Sequence, residues 1–190
     1  MSAATIPAPA PTTPLMTAEQ FLAKHGDDRY VELVNGHVVE IPMPGSPHGR
    51  ICSKANYFFA KYEIEAGLGR VLSHDTFVQT KDDPVAVRGA DLIYLSYARL
   101  SKDQPIPTPC PSPDLIVEVR SPTDRLKQLI KKADEYLDAG VAVVVLLFPE
   151  SKSAAIHRPN AEPVSLSTTE TLELPDILPG FSVPVKAFFA

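Results

Sequence analysis

Apolar and polar residues change their spacing several times along this chain, and each change marks an element. Thr17-Ala18-Glu19-Gln20 has the capping-box pattern, Thr at the N-cap and Gln three positions on, and predicts a short helix to about residue 24. Residues 30–33 and 37–41 are strand-like, and Asn35-Gly36 between them is a strong hairpin signal. Over 48–66 the apolar residues Ile51, Ala55, Phe58, Phe59 and Tyr62 fall at helical spacing, with Gly67 or Gly69 as the stop. Strand patterns return at 71–80 and 85–95, joined by the turn Lys81-Asp82-Asp83-Pro84. Residues 101–112 are Pro-rich and read as a surface excursion, before a strand at 115–119.

Ser121-Pro122-Thr123-Asp124 then predicts a helix start, with Ser at the N-cap, Pro at N1 and an acid at N3. The apolar stripe of that helix is Leu126, Leu129, Ile130, Ala133 and Leu137, and Gly140 ends it. Residues 141–148 are a continuous apolar run, as expected of a strand covered on both faces. Weaker strands fall at 154–157 and 163–166, and Leu178-Pro179-Gly180-Phe181 reads as a closing turn. Strand, helix and strand over 115–148 form a βαβ unit, which implies a parallel pair. The expected fold class is α/β, a central mixed sheet flanked by helices.

Composition narrows the picture. The 190 residues suit one domain over 16–190, following a Pro/Ala-rich tail over 1–15 that is expected to be disordered. That tail lacks the basic and apolar regions of a signal peptide, and no apolar run is long enough for a membrane helix. Cys52 and Cys110 form no Cys-x-x-Cys pattern, so free thiols in a cytoplasmic protein are expected. A net charge of −5 argues against binding nucleic acid over the whole surface, though not against a local basic groove.

The candidate chemistry lies in two strand acids. In Pro113-Asp114-Leu115-Ile116-Val117-Glu118-Val119-Arg120, a carboxylate interrupts a β-branched run, and an unpaired buried carboxylate is strongly disfavoured. Alternation puts Asp114, Ile116, Glu118 and Arg120 on one face and Leu115, Val117 and Val119 on the other. In Arg88-Gly89-Ala90-Asp91-Leu92, Asp91 shares its face with Gly89 and Ile93. If the strands pair, Asp91 and Glu118 converge on a hard cation such as Mg²⁺, whose shell phosphate oxygens complete. The following helix offers Lys127, Lys131 and Lys132, with Lys132 on the flank of the stripe beside Arg125 and Tyr136. Other readings stand beside these. Asp91 pairs with Arg88, Glu118 pairs with Arg120 or a helix lysine, and Lys132 is a solvated flank.

These segments resemble the Uma-two family of endonucleases, a branch of the PD-(D/E)XK restriction-endonuclease-like superfamily. The likeness runs from Met16-Thr17-Ala18-Glu19-Gln20-Phe21-Leu22 and Tyr30-Val31-Glu32-Leu33-Val34-Asn35-Gly36, through the two acid motifs, to Lys132-Ala133-Asp134-Glu135-Tyr136 and Leu178-Pro179-Gly180-Phe181. It implies a nuclease-like core with Asp91 and Glu118 as metal ligands, the Val119 carbonyl as a third, and Mg²⁺, or Mn²⁺ in its place, as the ion. It also implies an early acid, Glu32, near the site; on alternation alone Glu32 is equally the solvent face of its hairpin. Arg120 stands where the superfamily has its lysine and stays protonated, so Lys132 on the next helix is the matching cation.

The implied activity is hydrolysis of DNA phosphodiester bonds, with Glu32, Asp91, Glu118 and Lys132 as the catalytic set. Arg50, Lys54, Lys61 and Arg70 are candidate phosphate contacts, and cutting both strands favours a homodimer. RNA or another phosphodiester is an alternative substrate for the same chemistry. A catalytically silent, partner-binding scaffold is the rival reading, which the acidic balance favours.

Overall fold

The computed structural model describes residues 14–28, 30–122 and 125–190. Most of the expected disordered tail lies outside the described residues. Helix α1 (Ala18–His25) begins on the full capping box: Thr17 accepts from the Gln20 amide, and the Gln20 side chain accepts from the Thr17 amide. Strands β1 (Val31–Val34) and β2 (His37–Glu40) form the expected hairpin. Both turn residues have positive φ, Asn35 at 50° and Gly36 at 76°, which suits the right-handed twist of the hairpin. Helix α2 (Ser46–Ala66) buries His48, Ile51, Ala55, Phe59 and Tyr62 and stops at Gly67.

Strands β3 (Gly69–Asp82) and β4 (Val85–Ser96) make a long antiparallel pair. β4 pairs along its whole length with β3, so its other edge serves both β1, at Leu33–Val87, and β5 (Leu115–Val119), at Leu92–Val117 through Tyr94–Leu115. A gap is left on that edge around Gly89 and Ala90. β5 pairs in parallel with β6 (Val143–Phe148), as the βαβ pattern requires, with helix α3 (Leu126–Asp138) as the crossover. β7 (Ser153–His157) and β8 (Val164–Leu166) extend the sheet, whose order is β2-β1-β4-β5-β6-β7-β8. The fold class is therefore the expected one, a mixed central sheet flanked by helices.

Two apolar layers sandwich this sheet. On one side α2 packs on Leu115, Val117, Val119, Val143 and Val145; on the other α3 packs on Ile93, Ile116, Val144 and Leu146. The α2 layer is closed by a second sheet of β9 (Thr171–Leu174) and β10 (Leu178–Pro184) and a 3₁₀ helix, Val185–Phe189.

Three sequence expectations need correction. Ser121 is not the N-cap of α3; Arg125 takes that place without a side-chain cap, and the expected N2 and N3 residues, Thr123 and Asp124, lie outside the described residues. The buried face of α3 is Leu129, Ala133 and Tyr136, while Leu126 and Ile130 are 46% and 38% exposed. The expected stripe is rotated because a tyrosine with a buried hydroxyl partner replaces aliphatic residues on the inner face. The segment Leu178–Phe181 does not merely close a turn. It belongs to β10, where a register shift between Leu178 and Ser182 absorbs it.

Candidate functional site

The gap on the β4 edge is where the acids meet. Glu32 enters from the end of β1, Glu118 from the end of β5, and Asp91 from β4 itself. Continuing the β4–β5 register one step beyond Leu92–Val117 sets Asp91 opposite Glu118. The expectation that these two strands pair therefore holds.

The expected facing of Asp91 does not. Ala90 and Ile93 both pack in the α3 layer although three positions separate them, so strict alternation slips across Asp91. The cause is a bulge on the neighbouring strand. Ser73 faces Leu92 and Thr76 faces Ala90, so His74 and Asp75 together oppose the single residue Asp91. His74 and Asp75 have φ of 67° and 56°, a left-handed pair of non-glycine residues. The bulge re-aims Asp91 toward α2. Its Oδ2 accepts from the Val119 amide at 2.7 Å and lies 3.3 Å from His48 Nε2.

Glu118 follows alternation and faces α3. It is 5% exposed. Its Oε1 accepts from the Tyr136 hydroxyl at 2.9 Å and stands 3.1 Å from Lys132 Nζ. Burial pushes the Glu118 carboxyl up to about 8; the Lys132 ammonium works against that rise, and Asp91 and Glu32 add to it.

Lys132 does not lie on a solvated flank. Its Nζ donates to the Gly89 carbonyl at 2.8 Å and also stands 3.1 Å from Glu32 Oε1. Burial disfavours its charge, but Glu118, Tyr136 and Glu32 outweigh that and hold the ammonium protonated well above its ordinary range. Glu32 is likewise 5% exposed, not the solvent face of its hairpin. It accepts from the Gly89 amide at 3.2 Å and from Arg88 at 2.8 Å. Burial alone raises the Glu32 carboxyl, yet Lys132 and Arg88 bring it below its usual value.

Arg88 therefore pairs with Glu32 and Glu135, not with Asp91. Arg120 pairs with Glu150 at 2.6 Å rather than with Glu118. Among the candidate phosphate contacts, Arg50 donates to the Ala190 carbonyl, Lys61 pairs with Glu65, and Arg70 donates to the carbonyls of Gln104 and Ser101.

The sequence reading named Tyr136 as a neighbour on the flank and in the Lys132–Tyr136 motif, and gave no site role to His48, Cys52, Asp75 or Glu135. Tyr136 stands one turn beyond Lys132, and that spacing signalled that both reach the same acid. His48 is 8% exposed; burial lowers its basicity, but its hydrogen bond to Asp91 and the charge there raise it on balance. Cys52, one turn later, lies 3.4 Å from His48 Nδ1, and burial followed by Asp91 drives its thiol strongly upward. Asp75 is raised by desolvation and by Asp91, although solvent reaches it. No local pattern signals that Asp91 joins His48 and Cys52, because a β-bulge turns it toward them.

A family model described as "Putative restriction endonuclease", Uma2, matches residues 18–186. The chain belongs to the Uma2 family. A solved structure, described as a putative nuclease belonging to DUF820 from Anabaena variabilis, has a TM-score of 0.77 to this chain at 17% identity, covering 92% of this chain and 97% of that one. At that identity the likeness speaks to the fold, which is restriction-endonuclease-like. No curated protein matches the chain. Uma2 membership supports a nuclease function. Among the described residues, no helix is long and apolar enough to cross a membrane.

Proposed function

We propose that this Uma2 chain is a divalent-cation-dependent endonuclease that hydrolyses DNA phosphodiester bonds. One observation carries the reading. Two acids on adjacent strands, Asp91 and Glu118, stand opposite in register and act on one another electrostatically, beside a buried lysine that a second buried acid, Glu32, also holds.

The donor set fits a hard divalent ion. Glu32, Asp75, Asp91 and Glu118 act on one another across the gap, and the cations interleaved with them are Lys132, Arg88 and His48. Arg88 is shared further with Glu135. Acids outnumber cations; burial first, with Asp91 and Glu32 adding to it, raises the Glu118 carboxyl above its ordinary range. A cation relieves that excess. Asp91, Glu118 and the Val119 carbonyl are the groups that would hold Mg²⁺ or Mn²⁺. Such an ion, when bound, polarises a phosphodiester and acidifies water.

The chain's own residues supply the rest. Lys132 is held cationic, so it stabilises negative charge developing on phosphorus oxygens rather than removing a proton. Tyr136 orients Glu118 through its hydroxyl. Glu32 and the Gly89 carbonyl fix the position of Lys132.

The test is cleavage of DNA by the purified protein with and without Mg²⁺ or Mn²⁺, beside Asp91→Ala and Glu118→Ala. Metal-dependent cleavage that both variants lose supports the assignment; equal activity in all three removes it. The scaffold reading has its own support, because Arg50, Lys61 and Arg70 are engaged within the chain. Calorimetry with Mg²⁺ and Mn²⁺ separates the two: a scaffold binds neither ion at Asp91 and Glu118. A panel with RNA beside DNA assigns the substrate.

A further inference from the structure

On the α2 side of Asp91 the structure gathers donors that the nuclease reading does not use. His48 and Cys52 stand one turn apart on α2, so their side chains share a face. Both face the Asp91 carboxylate, which the His74–Asp75 bulge has turned toward them. We propose that His48 Nε2, Cys52 Sγ and Asp91 Oδ2 form a binding site for a borderline divalent cation of the zinc class.

The spacing supports it. Tetrahedral bonds of about 2.0 Å to nitrogen and oxygen and about 2.3 Å to sulfur set N···O separations of about 3.3 Å and N···S separations of about 3.5 Å. Here His48 Nε2 is 3.3 Å from Asp91 Oδ2 and 3.9 Å from Cys52 Sγ. One ligand atom from each residue lies within 4.8 Å of the others. The His48–Asp91 pair already has that spacing, while the thiol, which lies nearer Nδ1 at 3.4 Å, must swing toward the Nε2 side to grip an ion.

The donor chemistry sets the selectivity. Imidazole and thiolate suit Zn²⁺ and Co²⁺ and are poor ligands for Mg²⁺, which takes oxygen. Three protein ligands leave a fourth tetrahedral position for water or an exogenous ligand. Cys52 must give up its proton on binding, so one proton leaves for each ion bound. Binding of this kind does not depend on DNA cleavage.

Co²⁺ is the probe. Titration of the full chain with Co²⁺ is expected to reach one equivalent, with a thiolate-to-cobalt charge-transfer band in the near ultraviolet and tetrahedral bands in the visible. Zn²⁺ is expected to remove both. Cys52→Ser should lose the charge-transfer band, His48→Ala should weaken binding about tenfold or more, and Cys110→Ser should change nothing. Cys110 is buried in the layer on the α3 side, which makes it the internal control. Absence of a charge-transfer band, or a band that survives Cys52→Ser, overturns the proposal. A second measurement needs no variant. Zn²⁺, but not Mg²⁺, should slow alkylation of the half-buried Cys52 in the wild-type chain; an unchanged rate with Zn²⁺ overturns it equally. Cleavage of DNA in Mg²⁺ is scored separately, so failure of either reading leaves the other standing or falling by its own result.

Discussion

One nitrogen ties three strands together at the centre of the site. Lys132 Nζ reaches the Gly89 carbonyl of β4, Glu32 of β1 and Glu118 of β5, and Tyr136 adds a hydroxyl to the last. Tyr136→Phe removes only that hydroxyl. It should lower metal-dependent cleavage by about 10- to 100-fold, with weaker Mn²⁺ binding in calorimetry, because Glu118 loses its orienting partner. Glu118 also sets a pH dependence. Its carboxyl titrates near 4.5 when unfolded and about 8 when folded. Between those values the folded state holds a proton that the unfolded chain has lost, so stability falls as pH rises through that window. His48 and Asp75, both raised, act in the same sense. The lowered Glu32 acts only at more acid pH. The metal-free protein should therefore melt at a lower temperature at about pH 9 than at about pH 6, and Glu118→Gln should flatten the difference. A melting temperature that is flat or rises over that range in the wild type contradicts the assignment.

At the level of elements, the helix that carries Lys132 works as a clamp on the sheet. Removing its cation leaves Glu32 and Glu118 buried without it, so Lys132→Ala should cost about 3 kcal/mol in denaturant unfolding. Above about pH 8, where the Glu118 carboxyl ionises, Glu118→Gln on that background should recover part of the loss, since it removes one of the two stranded charges. The start of β3 is constrained in another way. A Cβ on Gly69 would stand 2.5 Å from Tyr94 Cζ and 2.6 Å from the Leu95 carbonyl oxygen, and the latter cannot move aside. Gly69→Ala should cost about 1–3 kcal/mol, read by the same measurement. The elements themselves were largely legible because their signals are local: the capping box at Thr17, the Asn35-Gly36 turn, and the unbroken apolar run of β6. The start of α3 was not, because Ser121-Pro122 reads as a helix start while the helix begins only after Arg125. Nor was the bulge, because His74 and Asp75 adopt positive φ without a glycine to announce it.

At the scale of the molecule, the parallel β5–β6 pair and its crossover followed from the sequence, while the closing layer did not. β9 and β10 are short and half polar, so their pattern is weak until Leu172, Leu174, Phe181 and Val183 are seen to cover α2. Phe188 lies beneath that cover in edge contact with Phe58. Phe188→Ala should cost about 3–5 kcal/mol in thermal or denaturant unfolding, and a loss below about 1 kcal/mol would show that the C-terminal layer is an accessory. Asp91, Glu118 and Lys132 were legible in strand and helix patterns and Glu32 in family resemblance alone, but their contacts depend on three strands bordering one gap, which no local pattern encodes. The position of the lysine has a further consequence in time. A superfamily member with lysine two residues after the glutamate completes its charge set within one strand. Here synthesis delivers Glu32, Asp91 and Glu118 first, and their cation follows on α3. A nascent or truncated chain ending after β5 already has Arg88 for Glu32 and His48 for Asp91, but holds Glu118 without Lys132. Docking of α3 is thus the step that brings Lys132 to Glu118 and Glu32 and completes the candidate site.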